Sequence, residues 1–307
     1  MSKRLLMGII IVLLITNIAT IITFNKENKI VINGYTVNVA LNDAVANIDG
    51  EKITYKTWFK AIMEQHGKGE LQSLIDREVV RQLADKHDIQ IDDKVIQREI
   101  SLLTSMQGVM TQMELKQLVE DWEGDIVYRY QLERLLAKDV SIPESETRQF
   151  YQRYGEQYNF TEAMQLSHII VDNTEIAEKV KSELEQGASF ASLAKEYSLD
   201  EETKYDGGYI GFIHTNSEFF PEGYEKVADE MEEHSISHPF KTNKGVAIIY
   251  LHEKLPSISF TYEELQPYIE TELALSQLNQ PATADLLWKQ LDVEWIYDKK
   301  KEAGKND

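Results

Sequence analysis

A histidine interrupts a short run of apolar, mostly β-branched residues, AMQLSHIIVDN at positions 163–173. The composition of this run predicts a buried β-strand. Imidazole titrates near neutral pH, so His168 could exchange a proton or set the polarity of a site. Taken alone, a histidine on an apolar strand is more often a hydrogen-bonded core residue than a catalytic one, and both interpretations stay open at this point.

Three further features follow between residues 198 and 224. Asp200 comes directly after a predicted helix and would, in isolation, be an ordinary loop aspartate. Gly207 and Gly208, in DGGYIGF, predict a tight turn or a place where the backbone lies close to another group. Phe220 and Tyr224 are four residues apart, which by default predicts a pair on the core-facing side of a helix.

Other arrangements of reactive side chains are weak. His234 and His238 in HSISH have the spacing of a metal-binding pair, but Pro239 follows directly and no third ligand is evident. We therefore predict no metal and no other cofactor. The absence of cysteine excludes disulfides, a thiolate nucleophile and Cys-ligated zinc. With no nucleophile elbow and no HExxH motif, a hydrolase is also disfavoured.

Short strands and two amphipathic helices must position these residues, in a segment that begins after Phe160 and ends near Leu255. Asn173 is the predicted N-cap of a helix that Gly187 ends, and Ser189 is the predicted N-cap of a second helix, FASLAKEYS. A short helix is predicted within EFFPEGYEKVADEM. The stretch SISHPFKTNKGVAIIYLHEK predicts a turn followed by a final apolar strand.

The chain before this segment is mainly helical. IVINGYTVNVAL alternates polar and apolar residues around an Asn-Gly pair, which predicts a β-hairpin. Thr54 and Asp92 are predicted N-caps, and Thr111 with Glu114 predicts a capping box. Between them, LQSLIDREVVRQLADKHD repeats apolar residues, Leu74 among them, at the spacing of one buried helical face.

The chain after the segment returns to helix. Thr261 and Glu264 predict a second capping box, which opens a helical stretch to about Leu291. DVEWIY, at 292–297, predicts a final strand. Helical flanks around a compact α+β segment indicate an inserted domain whose two ends lie close together.

The N-terminus carries the clearest local signal. Lys3 and Arg4 precede about twenty mainly apolar residues, 5–24, enough to span the roughly 30 Å hydrocarbon core of a bilayer. A cleaved signal peptide is the less favoured alternative, because the apolar stretch is too long and no convincing cleavage site follows. The basic residues place the N-terminus inside, so we expect a single-pass membrane protein with most of the chain extracytoplasmic. The net charge of −20 argues against a nucleic-acid partner.

Residues 163–254 resemble the parvulin-type peptidyl-prolyl isomerases. The matching motifs are SHIIV, GASFASLAKEYS, GGYIGF, SISHPFKTNKG and AIIYL, which occur in the family's order and at its spacing. The whole layout resembles extracytoplasmic foldases of the PrsA and SurA kind. In those proteins, helices before and after the isomerase domain form one chaperone domain. IDGEKITYKTWFKAI resembles the start of that domain.

The resemblance implies roles for six residues. Position by position, it assigns a catalytic role to His168, Asp200 and Thr242. It assigns the proline-binding pocket to Ile210, Phe220 and Tyr224. The family's second active-site histidine falls on Ala247, so the paired-histidine network cannot be complete. We therefore expect reduced rather than abolished turnover.

The predicted fold is α+β, with a parvulin domain of one small antiparallel sheet and surrounding helices inserted in a mainly helical chaperone domain. The predicted parts are the anchor (1–28), the N-terminal helical domain (29–160), the isomerase domain (161–255) and a C-terminal helix and strand that complete the chaperone domain (256–307). The expected function is isomerisation of X-Pro bonds combined with binding of unfolded, proline-containing polypeptides. The alternatives are a non-catalytic binding module and a structural protein of the envelope.

Overall fold

A computed structural model of the chain describes residues 29–32, 35–38, 40–278 and 281–297. The chain divides into two compact units, one formed by residues 1–75 and 294–307 and the other by residues 76–293. The content of helices and antiparallel strands confirms the predicted α+β class. The three boundaries between the four predicted parts stay a prediction.

Two hairpins and a helix make up most of the described part of the first unit. Strands β1 (Lys29–Ile32) and β2 (Tyr35–Asn38) pair antiparallel on either side of the predicted Asn-Gly turn, whose two residues lie outside the described part. Strands β3 (Ala44–Ile48) and β4 (Glu51–Thr54) form the second hairpin. Helix α1 (Tyr55–Gln65) begins at the predicted N-cap Thr54, whose hydroxyl accepts from the amide of Thr57.

Four more helices follow, and local capping explains where two of them begin. They are α2 (Gly67–Lys86), α3 (Asp93–Ser105), α4 (Gln112–Ala137) and α5 (Glu144–Tyr154). Asp92 caps α3 through the amide of Lys94, and Thr111 with Glu114 forms the predicted capping box of α4. On α2 the buried residues are Val79, Val80, Leu83 and Ala84. Leu74 was predicted on the buried face and is 64% exposed, so that prediction was wrong.

A five-stranded antiparallel sheet lies between the two helical flanks. The segment that contains this sheet begins with β5 (Ala163–Val171), α6 (Thr174–Glu185), α7 (Phe190–Tyr197), β6 (Tyr209–His214) and α8 (Tyr224–Asp229). Strands β7 (Ser235–Ile236), β8 (Phe240–Thr242) and β9 (Gly245–Leu255) complete it. The strand order is β6-β5-β9-β7, and β8 pairs with another part of β9. Strand β5 is therefore hydrogen-bonded on both edges, as its apolar sequence predicts.

The two faces of β5 bury different cores because successive side chains of a strand point to opposite sides. On one face, Ile169 and Val171 pack with Ile248 and with the apolar sides of α6 and α7. On the other face, Leu166 and Ile170 pack with β9 and α8. His168 has the same parity as Leu166 and Ile170, so its side chain belongs to this second face.

The sheet segment enters and leaves at one point of the fold. Phe160 and Ile258 form an isolated antiparallel bridge, in which each amide donates to the other residue's carbonyl at 2.7 and 2.8 Å. Helix α9 (Tyr262–Leu278) then begins at the predicted capping box of Thr261 and Glu264. The two ends of the segment are therefore adjacent, as expected of an insertion.

The C-terminal part differs from the sequence prediction in two respects. Helix α9 ends at Leu278 rather than near Leu291, and short 3₁₀ turns follow after Pro281. Proline disfavours a helical conformation in the residue before it, which explains the stop. The predicted strand at 292–297 is irregular and ends in a turn. A strand requires a hydrogen-bonded neighbour, and none of the three described sheets includes this segment.

The predicted transmembrane segment, residues 5–24, lies outside the described residues. Within the described part of the chain, no helix is long and apolar enough to cross a bilayer.

Gly208 allows a test of how closely β6 and the loop before it approach the histidine strand. Its φ is +76°, and a Cβ there would lie 2.1 Å from the carbonyl oxygen of His168. Gly187 also has a positive φ, +93°, but a Cβ there would meet no atom within 4 Å. We expect Gly187→Ala to lower the free energy of unfolding by about 1–2 kcal/mol, the cost of the backbone conformation alone. Gly208→Ala should cost about 3 kcal/mol or more, because the steric clash adds to that cost.

Urea denaturation of the two variants and of the unmodified chain measures the difference. Equal losses in the two variants would contradict the close approach of Gly208 to the backbone of His168.

Candidate active site

His168 is held in the sheet by its backbone and is buried. Its amide donates to the carbonyl of Gly208 at 2.8 Å, and its residue is 5% exposed. Strand β5 positions it opposite Ile249 of β9. A polar ring in such a place must satisfy both of its nitrogens within the protein.

Both nitrogens of the His168 ring have hydrogen-bond partners. Nε2 lies 2.7 Å from Oδ2 of Asp200 and 3.0 Å from Oγ1 of Thr203. Nδ1 lies 2.9 Å from the hydroxyl of Tyr224. Thr203 also donates to Oδ2 of Asp200 at 2.6 Å. These contacts form a continuous hydrogen-bonded network from Asp200 through the imidazole of His168 to Tyr224.

The pKa shifts of these side chains indicate which groups of the hydrogen-bonded network carry a proton. Burial lowers the pKa of His168 below its usual value, and the hydrogen bond and charge of Asp200 oppose this without reversing it. Burial would raise the pKa of Asp200, but hydrogen bonds from Thr203 and His168 outweigh it and lower the pKa. At neutral pH, therefore, a neutral His168 donates from Nε2 to ionised Asp200. Its Nδ1 then accepts from the hydroxyl of Tyr224, whose pKa is raised by burial and by Asp200.

The three residues predicted for the proline pocket lie in one apolar cluster beside His168. Tyr224 is a buried member of that cluster, and Ile210 and Phe220 are partly buried against it. Phe240 packs edge-on against Tyr224 with 5.3 Å between ring centroids. Because Tyr224 is only 1% exposed, the surface that a ligand could touch comes from Ile210 and Phe220 rather than from the Tyr224 ring.

The resemblance predicts the family's second histidine at the position of Ala247, and the structure shows what surrounds this residue. It is fully buried on β9, opposite Ile170 and in the same apolar cluster as Tyr224. The imidazole partner expected there is absent. The hydroxyl of Tyr224 contacts Nδ1 of His168 from α8 instead.

Thr242 does not contact His168 through its hydroxyl. Its Oγ1 donates to the carbonyl of Gly245 at 3.1 Å and accepts from the amide of Lys244 at 3.2 Å, both within the turn between β8 and β9. Its catalytic role stays a prediction. The threonine that joins the histidine network is Thr203, which sequence reasoning missed. Its position three residues after Asp200, in the loop DEETK, is the local signal that could have identified it.

A second histidine lies on the opposite face of β5 and is separate from this network. His252 on β9 contacts Oγ of Ser167 through Nε2 at 2.8 Å. Burial, with a contribution from His234, lowers the pKa of His252 to about 4. Within the described ranges, no cluster of three or more histidine or acidic side chains is arranged to hold a metal.

Comparisons with known proteins agree with this geometry. The family described as "Rotamase: PPIC-type PPIASE domain" matches residues 168–253. The "Putative peptidyl-prolyl cis-trans isomerase YacD" of Bacillus subtilis is 34% identical over 259 residues, which cover 84% of this chain and 87% of that protein. The chain belongs to the PPIC-type peptidyl-prolyl isomerases. It is thus a peptidyl-prolyl cis-trans isomerase of the parvulin type.

Other relatives of this isomerase match over most of its length. "Foldase protein PrsA" of Halalkalibacterium halodurans is 29% identical over 269 residues, covering 83% of this chain and 77% of that protein. Among solved structures, PrsA of Bacillus subtilis covers 87% of this chain and 100% of its own, at 22% identity and a TM-score of 0.32.

The protonation of His168 is directly measurable. Histidine-selective ¹⁵N NMR of the full chain should show a neutral ring protonated at Nε2 at pH 7, with a pKa below 6.5. Asp200→Asn should lower this pKa further, because it removes the group that stabilises the imidazolium. The pKa of His252 serves as the control and should not change.

The stability of the isomerase should depend on pH through its two buried histidines. The pKa of His168 and that of His252 are both lowered in the folded chain, so the unfolded chain binds both protons at higher pH and the free energy of unfolding should decrease as the pH falls below about 6.5. A His168 pKa at or above 6.5, or a rise after Asp200→Asn, would contradict this account of the site.

Proposed function

We propose that this isomerase rotates X-Pro bonds with a single histidine. The observation that carries the proposal is the hydrogen-bonded network Asp200–His168–Tyr224, in which a phenol hydroxyl is the partner of Nδ1. Ile210 and Phe220 are proposed to hold the proline ring. His168 and Asp200 are proposed to act on the rotating amide.

Such a site needs to lower the barrier to amide rotation by only a modest amount. Rotation about the amide faces a barrier of about 18–20 kcal/mol and takes roughly 10–100 s without catalysis. An acceleration of about 10²–10³ needs only about 3–4 kcal/mol of barrier lowering. Neither a nucleophile nor a covalent intermediate is required.

Electrostatics and desolvation together can supply that amount. The planar amide places partial negative charge on its oxygen, and the twisted amide of the transition state has lost most of that charge. An ionised Asp200 held beside a neutral His168 disfavours the planar form more than the twisted one. An apolar wall at Ile210 and Phe220 adds to this effect by excluding water from the amide.

The second part of the proposal is binding of unfolded or newly secreted polypeptides. Relatives that match most of the chain are named foldase protein PrsA, which supports this function. We assign it to a helical chaperone domain built from residues 29–160 and 256–307. Residues 5–24 are proposed to anchor the chain in the membrane, with the N-terminal tip cytoplasmic and the bulk of the chain after the anchor extracytoplasmic.

One observation favours a second candidate, a binding module with the same fold and no useful catalysis. Ala247 leaves the site with one imidazole in place of two. An uncatalysed exchange rate for the unmodified chain would favour this candidate.

Isomerase activity can be measured by NMR exchange spectroscopy on a short Ala-Pro peptide with the full chain in non-ionic detergent. We expect acceleration by the unmodified chain and a loss of at least about tenfold in His168→Ala and in Asp200→Ala, which destroy the network. Tyr224→Phe keeps the ring and removes only the hydroxyl. It should slow exchange about three- to tenfold, the value of one hydrogen bond to a buried acceptor.

Tyr209→Phe is the matched control for Tyr224→Phe. It also removes one tyrosine hydroxyl, here from strand β6, but that hydroxyl accepts from Gln165 and does not donate to the imidazole of His168. Equal slowing in the two tyrosine variants would show that the loss of either tyrosine hydroxyl produces the effect, whether or not it contacts His168. Full activity of Tyr224→Phe would remove Tyr224 from the proposal.

Polypeptide binding should survive the loss of catalysis. We expect His168→Ala to suppress aggregation of a chemically unfolded protein as well as the unmodified chain does, because the helical part is proposed to bind the client. Light scattering at equal protein concentrations measures this. If neither protein suppresses aggregation, the chaperone half of the proposal is wrong and the isomerase half is unaffected.

A further inference from the structure

Helix α1 has a wide apolar side, yet none of its residues is buried. Large apolar residues recur along it at intervals of three and four positions, the spacing that places them on one side of a helix. They are Tyr55, Trp58, Phe59, Ile62 and Met63. Of these, Trp58, Ile62 and Met63 are 43%, 39% and 56% exposed. The apolar side of α1 is therefore open over most of its length.

This exposure is unusual for an amphipathic helix. Helix α3 is of similar length and is also amphipathic, but five of its residues are buried, namely Val95, Ile96, Ile100, Ser101 and Thr104. Strand β3, which α1 contacts, contributes no buried residue either. A helix shorter than about 12–15 residues is marginally stable in water unless its apolar side packs against something. The apolar side of α1 therefore needs a partner outside the described part of the chain.

The residues on this side are of the types that proteins place at a membrane surface. Tyr55, Trp58 and Phe59 pack on one another, with 5.6–6.2 Å between ring centroids. Tryptophan and tyrosine are enriched where lipid acyl chains meet the head groups, because each ring has an apolar body and a polar tip. Lys56 and Lys60 lie on the opposite side of the helix, where their ammonium groups can reach lipid phosphates.

The charge of this region also suits a membrane surface. Residues 40–70 contain four lysines and five acidic residues, whereas the whole chain has 32 basic and 52 acidic residues. Bacterial and other biological bilayers that carry anionic lipids repel a strongly acidic surface but not a nearly balanced one. The pair between Lys60 and Glu64 spans 3.7 Å with both side chains exposed, so it holds the lysine only weakly.

The position of α1 in the sequence keeps it close to the membrane. The proposed anchor ends at Phe24, and α1 begins at Tyr55, after two hairpins that each return the chain towards its starting point. The 11 residues of α1 extend over roughly 16 Å, about half of the ~30 Å hydrocarbon core. The helix is therefore too short to cross a bilayer and would lie in the plane of its surface.

We propose that α1 is an interfacial helix that lies on the outer surface of the membrane. Trp58, Ile62 and Met63 contact the upper acyl chains, and Lys56 and Lys60 contact the head groups. The proposal rests on the membrane anchor proposed above and adds a second contact with the same bilayer. This contact fixes the orientation of α1 relative to the membrane, which a single spanning segment does not do.

The test exploits the absence of cysteine, which makes every introduced thiol a unique labelling site. Ile62→Cys places a fluorophore on the apolar side of α1, and Thr57→Cys places the same fluorophore on the polar side. Each labelled full chain is reconstituted in vesicles of phosphatidylcholine and phosphatidylglycerol that contain a lipid spin-labelled near its head group. We expect this lipid to quench the label at position 62 at least about fivefold more strongly than the label at position 57.

Trp58→Gln and Leu74→Gln form a matched pair of variants in the Ile62-labelled chain. Trp58→Gln removes an apolar group from the proposed contact and should reduce quenching of the label at least about threefold. Leu74 is also an exposed apolar residue of the first compact unit, but it lies on α2. Leu74→Gln should leave the quenching unchanged, and an equal reduction in both variants would contradict a specific contact by α1.

The remaining outcomes separate this proposal from the one it rests on. Flotation of the vesicles in a density gradient shows whether the full chain is anchored. If the chain floats and the two labels are quenched equally, the interfacial helix is wrong and the anchor stands. If the chain does not float, both proposals fail. If the label at position 62 is shielded from dissolved iodide but is not quenched by the lipid, a second copy or a client polypeptide covers α1, and the proposal is overturned.

Discussion

The burial of a neutral imidazole between two hydrogen-bonded strands is the constraint on which the site depends. An imidazole at this depth is tolerated only if both nitrogens have partners, since an unsatisfied buried polar group costs about 1–3 kcal/mol. Asp200 and Thr203 meet this demand at Nε2 and Tyr224 meets it at Nδ1. Throughout the described part of the chain, no buried side-chain nitrogen or oxygen lacks a hydrogen-bond partner.

At position 247, where the family pattern predicts a histidine, this chain has an alanine. The alanine adds no polar side-chain group that would need a hydrogen-bond partner. Ala247 packs among apolar side chains, so that position makes no polar demand. The hydrogen bond to Nδ1 comes from Tyr224 on helix α8. Tyr224 therefore has two roles. Its ring completes the apolar cluster, and its hydroxyl fixes the tautomer of His168.

Much of the fold was predictable from the sequence because it depends on interactions between residues that are close together in the chain. The capping boxes at Thr111 and Thr261, the strand around His168 and the turn before Gly245 all depend on residues within a few positions of one another. The contacts of Tyr224 and Thr203 with His168 join residues 56 and 35 positions apart, so spacing alone could not reveal them. The end of α9 had a local signal in Pro281 that the prediction did not use. The segment at 292–297 was predicted wrongly because a strand requires a hydrogen-bonded neighbour, which depends on the tertiary fold.

The bridge between Phe160 and Ile258 has a consequence for the order in which the chain folds. Helix α9 packs against α4 and α5, across a stretch of about one hundred residues that must first be closed into a loop. Closing a longer flexible loop costs more entropy, by about 0.6 kcal/mol for each doubling of its length. A sheet that forms early would bring Phe160 and Ile258 together and shorten the effective loop to a few residues. The segment that carries the isomerase site would then act as an internal template for assembly of the helices that precede and follow it.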